Sequence, residues 1–276
     1  MVLPMDATTA NILRTINNDF YRSQAASFSV TRQAPWPGWE RCLATVQDIW
    51  TVTGAAPAPA LSVLDLACGN LRFEDYLSRA LPAAELTCYA VDNCPDFLVA
   101  PDVPARDASR KLLINSRSLD VLDLLARGQS LNDHLTGVPL CDLSISFGFL
   151  HHVPGAACRE QVLSNLLQQT RPGGYVVVSL WQFMKDPARR EKALVTHAQA
   201  LKDLAATGLT PSALDADDYL LGWKDLPGVY RYCHYFSEAE IDQLVASVAA
   251  RATVIARFTA DGRTGDLNTY LILRAQ

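Results

Sequence analysis

The chain lacks any run of about 20 consecutive apolar residues, the length a helix needs to cross a bilayer, although 49% of its 276 residues are hydrophobic. Its opening, MVLPMDATTANILR, has no basic head followed by a continuous apolar stretch, so no membrane association is expected and the expected location is cytoplasmic. It also lacks an excess of positive charge. A net charge of −5 excludes a global field that would draw the protein onto nucleic acid and leaves only local patches for that purpose. The candidate patches are KDPARREK, residues 185–192, and more weakly Arg106, Arg110 and Lys111; a solvated helix face is the plainer reading of both. The cysteines, at 42, 68, 88, 94, 141, 158 and 233, are odd in number and form no C-x-x-C. That excludes a disulfide framework and offers no metal-ligand spacing, so they are expected to be packed, reduced thiols, with Cys233 beside His234 only a pair. Glycine is scarce where it would be most telling. SVLDLACGNLRF, residues 62–73, opens like a nucleotide-binding turn, but Ala67 and Leu71 stand where such a turn carries glycine, leaving Gly69 alone.

What is present is alternation. From residue 61, short runs rich in β-branched residues at 61–66, 86–91, 112–115, 141–147 and 174–181 alternate with helical spacing at 73–80, 94–100, 120–127 and 156–170. Such alternation predicts parallel strands joined by crossover helices. RPGG, with Pro172 and two glycines, is expected to take the chain out of the last helix and into the next strand. After a charged, Ala-rich and then Asp/Tyr/Trp-rich insertion at about 182–232, Ser237 and Glu240 spell a capping box. ATVIARF, a TADGRTGD turn and LNTYLILRA then predict a terminal hairpin whose last strand runs antiparallel. Ahead of the sheet, residues 5–50 carry helical spacing, and the linker TGAAPAPA, 53–60, separates that cap from the rest. The expected organisation is therefore an N-terminal helical cap, 1–57, and an α/β domain, 58–276.

In an open parallel sheet a ligand sits beyond the carboxyl ends of the strands, and the first strand-to-helix turn is where backbone must approach it. Gly69 is placed for that approach. Asp92, ending CYAVDN, is placed to accept from both ribose hydroxyls of a nucleoside. A pyrophosphate needs bare backbone amides at a helix N-terminus, whereas a cofactor without phosphates tolerates Ala67, Asn70 and Leu71. The missing glycines thus favour S-adenosyl-L-methionine (SAM) over a dinucleotide.

These residues resemble the class I SAM-dependent methyltransferases: VLDLACGN is similar to their first motif, VDN to the second acidic position, RSLDVLD to the segment facing adenine, CDLSISFGFLHHV to the fourth strand and LLQQTRPGGYVVVSLW to the helix and strand that follow. The resemblance implies a Rossmann-like seven-stranded sheet with its last strand antiparallel and helices on both faces. It implies cofactor contacts from Asp65, Ala67, Cys68, Gly69, Asn70, Asp92, Asn93, Asp120, Val121, Phe147 and Gly148. FYRSQAASFSVTRQAPWPGW, FLHHV, SLWQF, YRYCHYFSEAEIDQLV and GDLNTYLIL further resemble the Trm9/ALKBH8-type tRNA (wobble uridine) methyltransferases, most specifically through Thr31, Arg32, Pro35, Trp36 and Pro37. That family methylates the carboxylate of 5-carboxymethyluridine in tRNA, and its eukaryotic members bind a small zinc-containing activator protein. The chain departs from the family's Gly-Cys-Gly-Asn-Gly at Ala67 and Leu71, and its 96–110 segment is longer and richer in Pro and Asp.

Methyl transfer from a sulfonium is an in-line displacement that mainly requires alignment in a water-poor pocket. A carboxylate acceptor is ionised near neutral pH and needs no base, so the expected acceptor-side groups are positive: Arg32, His151, His152 and Arg231. Each has a plain structural alternative: Arg32 as a surface tie between cap and domain, the histidines as packing or capping. Tyr21, Phe28, Trp36, Trp39 and Trp181 could equally line the pocket or fill the cap's own core. Two other readings stand beside the tRNA enzyme: a small-molecule O- or N-methyltransferase, favoured by the acidic charge, and a catalytically silent SAM-fold scaffold, suggested by the eroded glycine turn.

Overall fold

The computed structural model describes residues 5–52, 60–98, 106–107, 109 and 111–276. Most of the linker and of the Pro/Asp-rich 96–110 segment lie outside these residues. Two helices come first, α1 (Ala7–Val30) and α2 (Pro37–Val52), the former capped by Asp6, which accepts from the amides of Thr8 and Thr9. The alternating part follows as β1 (Ala60–Leu66), α3 (Arg72–Ala80), β2 (Glu85–Asp92), α4 (Pro95–Leu98), the two-residue β3 (Arg106–Asp107) and β4 (Leu112–Ser118). Next come α5 (Val121–Ala126), β5 (Cys141–Ser146), α6 (Ala156–Gln168) and β6 (Thr170–Trp181). After α7 (Pro187–Asp203) and the antiparallel pair β7 (Asp218–Gly222) and β8 (Tyr230–His234), the chain closes with α8 (Glu238–Ser247), β9 (Ala252–Ala260) and β10 (Asn268–Ala275).

The main sheet has the order β3-β4-β2-β1-β5-β6-β10-β9. β1 pairs in parallel with both β2 and β5, so the chain reverses its direction of travel across the sheet there, and a crevice opens at the carboxyl ends of those strands. β10 runs antiparallel to both β6 and β9, as the terminal pattern predicts. Apart from the two-residue β3 at the edge, the sheet is the expected seven-stranded one with its last strand reversed.

Alternation along each strand feeds two cores, because successive side chains point to opposite faces. Leu64 and Leu66 of β1 pack with Leu163, Leu166, Ile241 and Leu244 on the face covered by α5, α6 and α8. Leu61 and Val63 pack with Trp39, Val46, Phe73 and Leu77 on the face covered by α2 and α3. α2 approaches β10 so closely that a Cβ on Gly38 would stand 2.2 Å from the Tyr270 ring, which accounts for the glycine in PWPGW. The 182–232 insertion is ordered: α7 is capped by Asp186 ahead of Pro187, and Leu13 of α1 packs with Ala200, Leu209, Leu220 and Tyr232. α1 and the insertion thus form one layer over the carboxyl ends of the strands.

Two local expectations are corrected. RPGG is not a break between helix and strand: α6 ends before it and β6 already begins at Thr170. Pairing jumps from Cys141↔Thr170 to Leu143↔Tyr175, so Arg171–Gly174 form a bulge inside the pair. The capping box is half made. Ser237 accepts from the Glu240 amide at 3.2 Å, but the Glu240 carboxylate bonds Arg159 at 2.9 Å and His234 at 2.6 Å. His234 also bonds Asp218 at 2.7 Å, so a buried network staples the insertion hairpin to α8 and α6.

Candidate active site

The crevice is a cavity of about 600 Å³ bounded by the β1, β2, β4 and β5 loops, α1, the start of α2 and the insertion. Every residue singled out for the cofactor or the acceptor lines it: Asp65, Ala67, Cys68, Gly69, Asn70, Asp92, Asn93, Asp120, Val121, Phe147 and Gly148, with Arg32, His151, His152 and Arg231.

The β1–α3 turn keeps a glycine-type backbone without the glycines. Ala67, Gly69 and Leu71 have φ of 64°, 57° and 57°, all in the left-handed region. For the two non-glycine residues this costs about 1–2 kcal/mol each, offset at Leu71 by a side chain that is 3% exposed in the core. A Cβ on Gly69 would meet nothing within 4 Å, so this position faces open cavity. The amides of the turn are committed: Ala67 and Cys68 donate to the Val91 carbonyl at 2.7 and 3.1 Å, and Gly69 to Asp92 at 2.9 Å. A phosphate would find no free amide at those positions. Asp92 also accepts from Cys94 at 2.8 Å, which fixes its carboxylate at the end of β2. Asp65 lies beside the fully buried Glu74; burial pushes both carboxyls up, Glu74 to about 7, and the neighbouring Glu74 charge raises Asp65 further. Asp65, Asp92 and Asp120 line the cavity with carboxyl groups; burial pushes the first two up, and a cationic ligand without phosphate, such as SAM, would favour their ionised form.

The cavity also has basic and aromatic lining. Arg231 is 7% exposed, and its guanidinium lies 5.2 Å from the Trp181 ring, 5.4 Å from Trp223 and 5.5 Å from Phe20. Among the described residues no carboxylate pairs with it, and its Nε has no hydrogen-bond partner. Arg32 lies 3.5 Å over the Phe28 ring and donates to Thr31. Burial, helped by the neighbouring Arg231, lowers its pKa to about 10, so it stays charged at neutral pH.

The histidines differ from the expectation of positive groups. Burial and then His152 hold His151 well below the usual range, while burial and then Arg231 bring His152 down to about 3. Both are therefore neutral at pH 7, and the acceptor side draws its positive charge from arginine. His152 is fixed by a hydrogen bond to the Tyr232 carbonyl and another to the Tyr21 hydroxyl, each 2.7 Å. His151 keeps an unpartnered buried Nδ1 and stands 5.1 Å from Trp181. These histidines and Cys233 bring possible metal-ligand atoms within 4.8 Å of one another, a convergence that sequence spacing conceals. Both ring nitrogens of His152 are engaged, and burial pushes the Cys233 thiol up to about 12, so the trio suits packing rather than a metal.

The residues missed from sequence are those of the roof. Asn17 and Asn18 of α1, Trp223 of the β7–β8 loop and Asp261 of the β9–β10 turn also line the cavity. Adjacent asparagines inside a helix are weak helix formers, and that was a usable signal. Asp261 accepts from Gly38 at 2.9 Å and Asn268 at 2.7 Å, holding the PWPGW segment against β10.

No family model matches the chain. It is 27% identical over 161 residues to tRNA (carboxymethyluridine(34)-5-O)-methyltransferase ALKBH8 of Mus musculus, a match covering 58% of this chain and 19% of the mouse protein. The chain thus spans about a fifth of that relative's length. Among solved structures, a SAM-dependent methyltransferase from Methanosarcina mazei matches with TM-score 0.53 and 14% identity, covering 81% of this chain and 96% of that one. One from Clostridium acetobutylicum matches with TM-score 0.53 and 11% identity, covering 94% and 98%. Strand order, the reversed last strand and these similarities identify the fold as that of the class I SAM-dependent methyltransferases.

Proposed function

We propose that the chain is a SAM-dependent methyltransferase that esterifies a carboxylate, and that its acceptor is the carboxymethyl group of a 5-carboxymethyl-type wobble uridine in tRNA. The observation that carries the chemistry is Arg231, a buried cation that has no carboxylate partner among the described residues and lines the same cavity as Asp65, Asp92 and Asp120. Leaving a buried charge unpaired is costly, and an incoming anion removes that cost. The mouse relative's name, which specifies a carboxymethyluridine, supports the tRNA acceptor.

SAM, when bound, supplies an electrophilic methyl on a sulfonium. Asp92 would take the ribose hydroxyls, and Asp65 and the open side of Gly69 would receive the amino-acid end. Arg231 and Arg32 would grip one carboxylate oxygen of the acceptor and leave the other free to attack. No proton has to be removed, in keeping with histidines that are neutral and, at His152, fully hydrogen-bonded. Trp181, Trp223 and Phe28 would exclude water.

A small carboxylic acid is the second reading, favoured by the roof over the cavity and by the state of the 185–192 patch. Lys185 pairs with Glu238 at 2.9 Å, Lys192 with Asp225 at 2.7 Å and Arg189 with Asp186 at 3.6 Å, which leaves little net positive field. Methyl-labelled SAM offered with total tRNA, and separately with a pool of small carboxylic acids, separates the readings. Label in tRNA supports the first and label only in the acid pool the second. A protein that binds no SAM would be the silent scaffold.

A further inference from the structure

α1 presents Arg14, Asn17, Asn18 and Tyr21 along one face at helical spacing, and each bonds to residues in or next to the cavity wall. Arg14 pairs with Asp123 and lies 3.6 Å from Asp120. Asn17 accepts from the Tyr232 amide at 2.8 Å, and Tyr21 bonds His152 at 2.7 Å. Asn18 lies between the two loops on the nucleoside side: its Nδ2 donates to Asp120 at 3.0 Å, and its Oδ1 accepts from Asn93 at 2.7 Å. Both ends of one amide are thus used to bridge the loop after β2 and the loop after β4, which in this fold flank a bound nucleoside.

We propose that Asn18 is a positioning residue that latches α1 over the cofactor and sets how long the cofactor stays. The inference rests on SAM being the ligand of this cavity. Asn18 and Asp92 line the same cavity, so on this reading a ligand held by Asp92 would leave past α1, and lifting the helix would break both Asn18 bonds. Asn17 stands beside Asn18 in the helix, so the same lifting also loosens the grip on Tyr232 and, through Tyr21, on His152. Cofactor release and the opening of the acceptor side are therefore one movement. Asn18 is half-buried and outside the hydrophobic clusters, so its truncation leaves the fold intact.

The test is the dissociation rate and affinity of S-adenosylhomocysteine for the full chain and for Asn18→Ala, with Thr15→Ala on the exposed face of α1 as a control. Hydrogen exchange of residues 7–30 is followed with and without the ligand. Losing two hydrogen bonds of ordinary strength is expected to speed dissociation about tenfold. The ligand-induced protection of α1 should be lost, while the free Asn18→Ala protein still melts cooperatively, with a drop no larger than two hydrogen bonds imply, and Thr15→Ala behaves as wild type. Dissociation from Asn18→Ala within twofold of wild type, or protection of α1 that ignores the ligand, overturns the latch. Absence of binding by the wild-type chain overturns the cofactor reading itself, and the latch with it.

Discussion

At the scale of the residue, charge and conformation were legible to different degrees. Asp92 was readable because an acid ending the second strand of such a sheet has few places to go, and its carboxylate is held by Gly69 and Cys94. The neutrality of His151 and His152 was not readable, because it comes from a roof supplied by residues far away in sequence. Arg231 carries the clearest consequence. Arg231→Met is expected to lower kcat/KM for the acceptor by about a hundredfold, the scale of losing one partner of a buried charge pair. Arg231→Lys should recover only part, since a point charge lacks the fork of the guanidinium. SAM affinity, measured by calorimetry, should change little in either variant; equal losses on both ligands would mean that Arg231 holds the fold instead. At the β1–α3 turn, Ala67→Gly should raise stability by about 1 kcal/mol by removing a left-handed non-glycine residue. Urea unfolding at constant m would show it, and an unchanged midpoint would indicate that Ala67 is unstrained.

Elements were more legible than their ends. β1, β2, β5 and α3 follow from hydrophobic runs bounded by polar or small residues, and their observed limits lie within a residue or so of the pattern. The bulge at Arg171–Gly174 was not legible because Pro and Gly signal an interruption without saying whether the strand has already begun. The Glu240 half of the capping box went elsewhere because a buried arginine and histidine offered its carboxylate stronger, charge-assisted partners. That network predicts a pH dependence. Burial works against charge on His234, but its bonds to Asp218 and Glu240 outweigh this and hold its pKa above 6.5. The folded state then holds the proton more tightly than the unfolded chain. The stabilisation is fully present below pH 6.5 and is lost as pH rises through the higher folded pKa. His234→Gln should therefore lower the melting temperature more at pH 6 than at pH 9. A pH-independent loss would show that His234 contributes by packing alone.

For the whole molecule, the terminal hairpin pattern anticipated the reversed last strand and the family resemblance implied the seven-stranded sheet, whereas the order of the strands is seen only in the structure. Nor was the roof anticipated. α1, α7 and the β7–β8 hairpin meet through contacts between residues as distant as Leu13 and Tyr232, and no local spacing encodes that encounter. The cavity beneath this roof is lined both by Asp65, Asp92 and Asp120 and by Arg32, Arg231, Trp181 and Trp223. That mixed lining is the basis for proposing a cationic methyl donor and an anionic acceptor in one cavity. The most direct test is to transfer label from methyl-labelled SAM to whichever acceptor takes it, isolate the product and treat it with mild alkali. A methyl ester, released as methanol, is the predicted product. Label that survives alkali would place the methyl on nitrogen, carbon or a hydroxyl and contradict the assignment of Arg231 to a carboxylate.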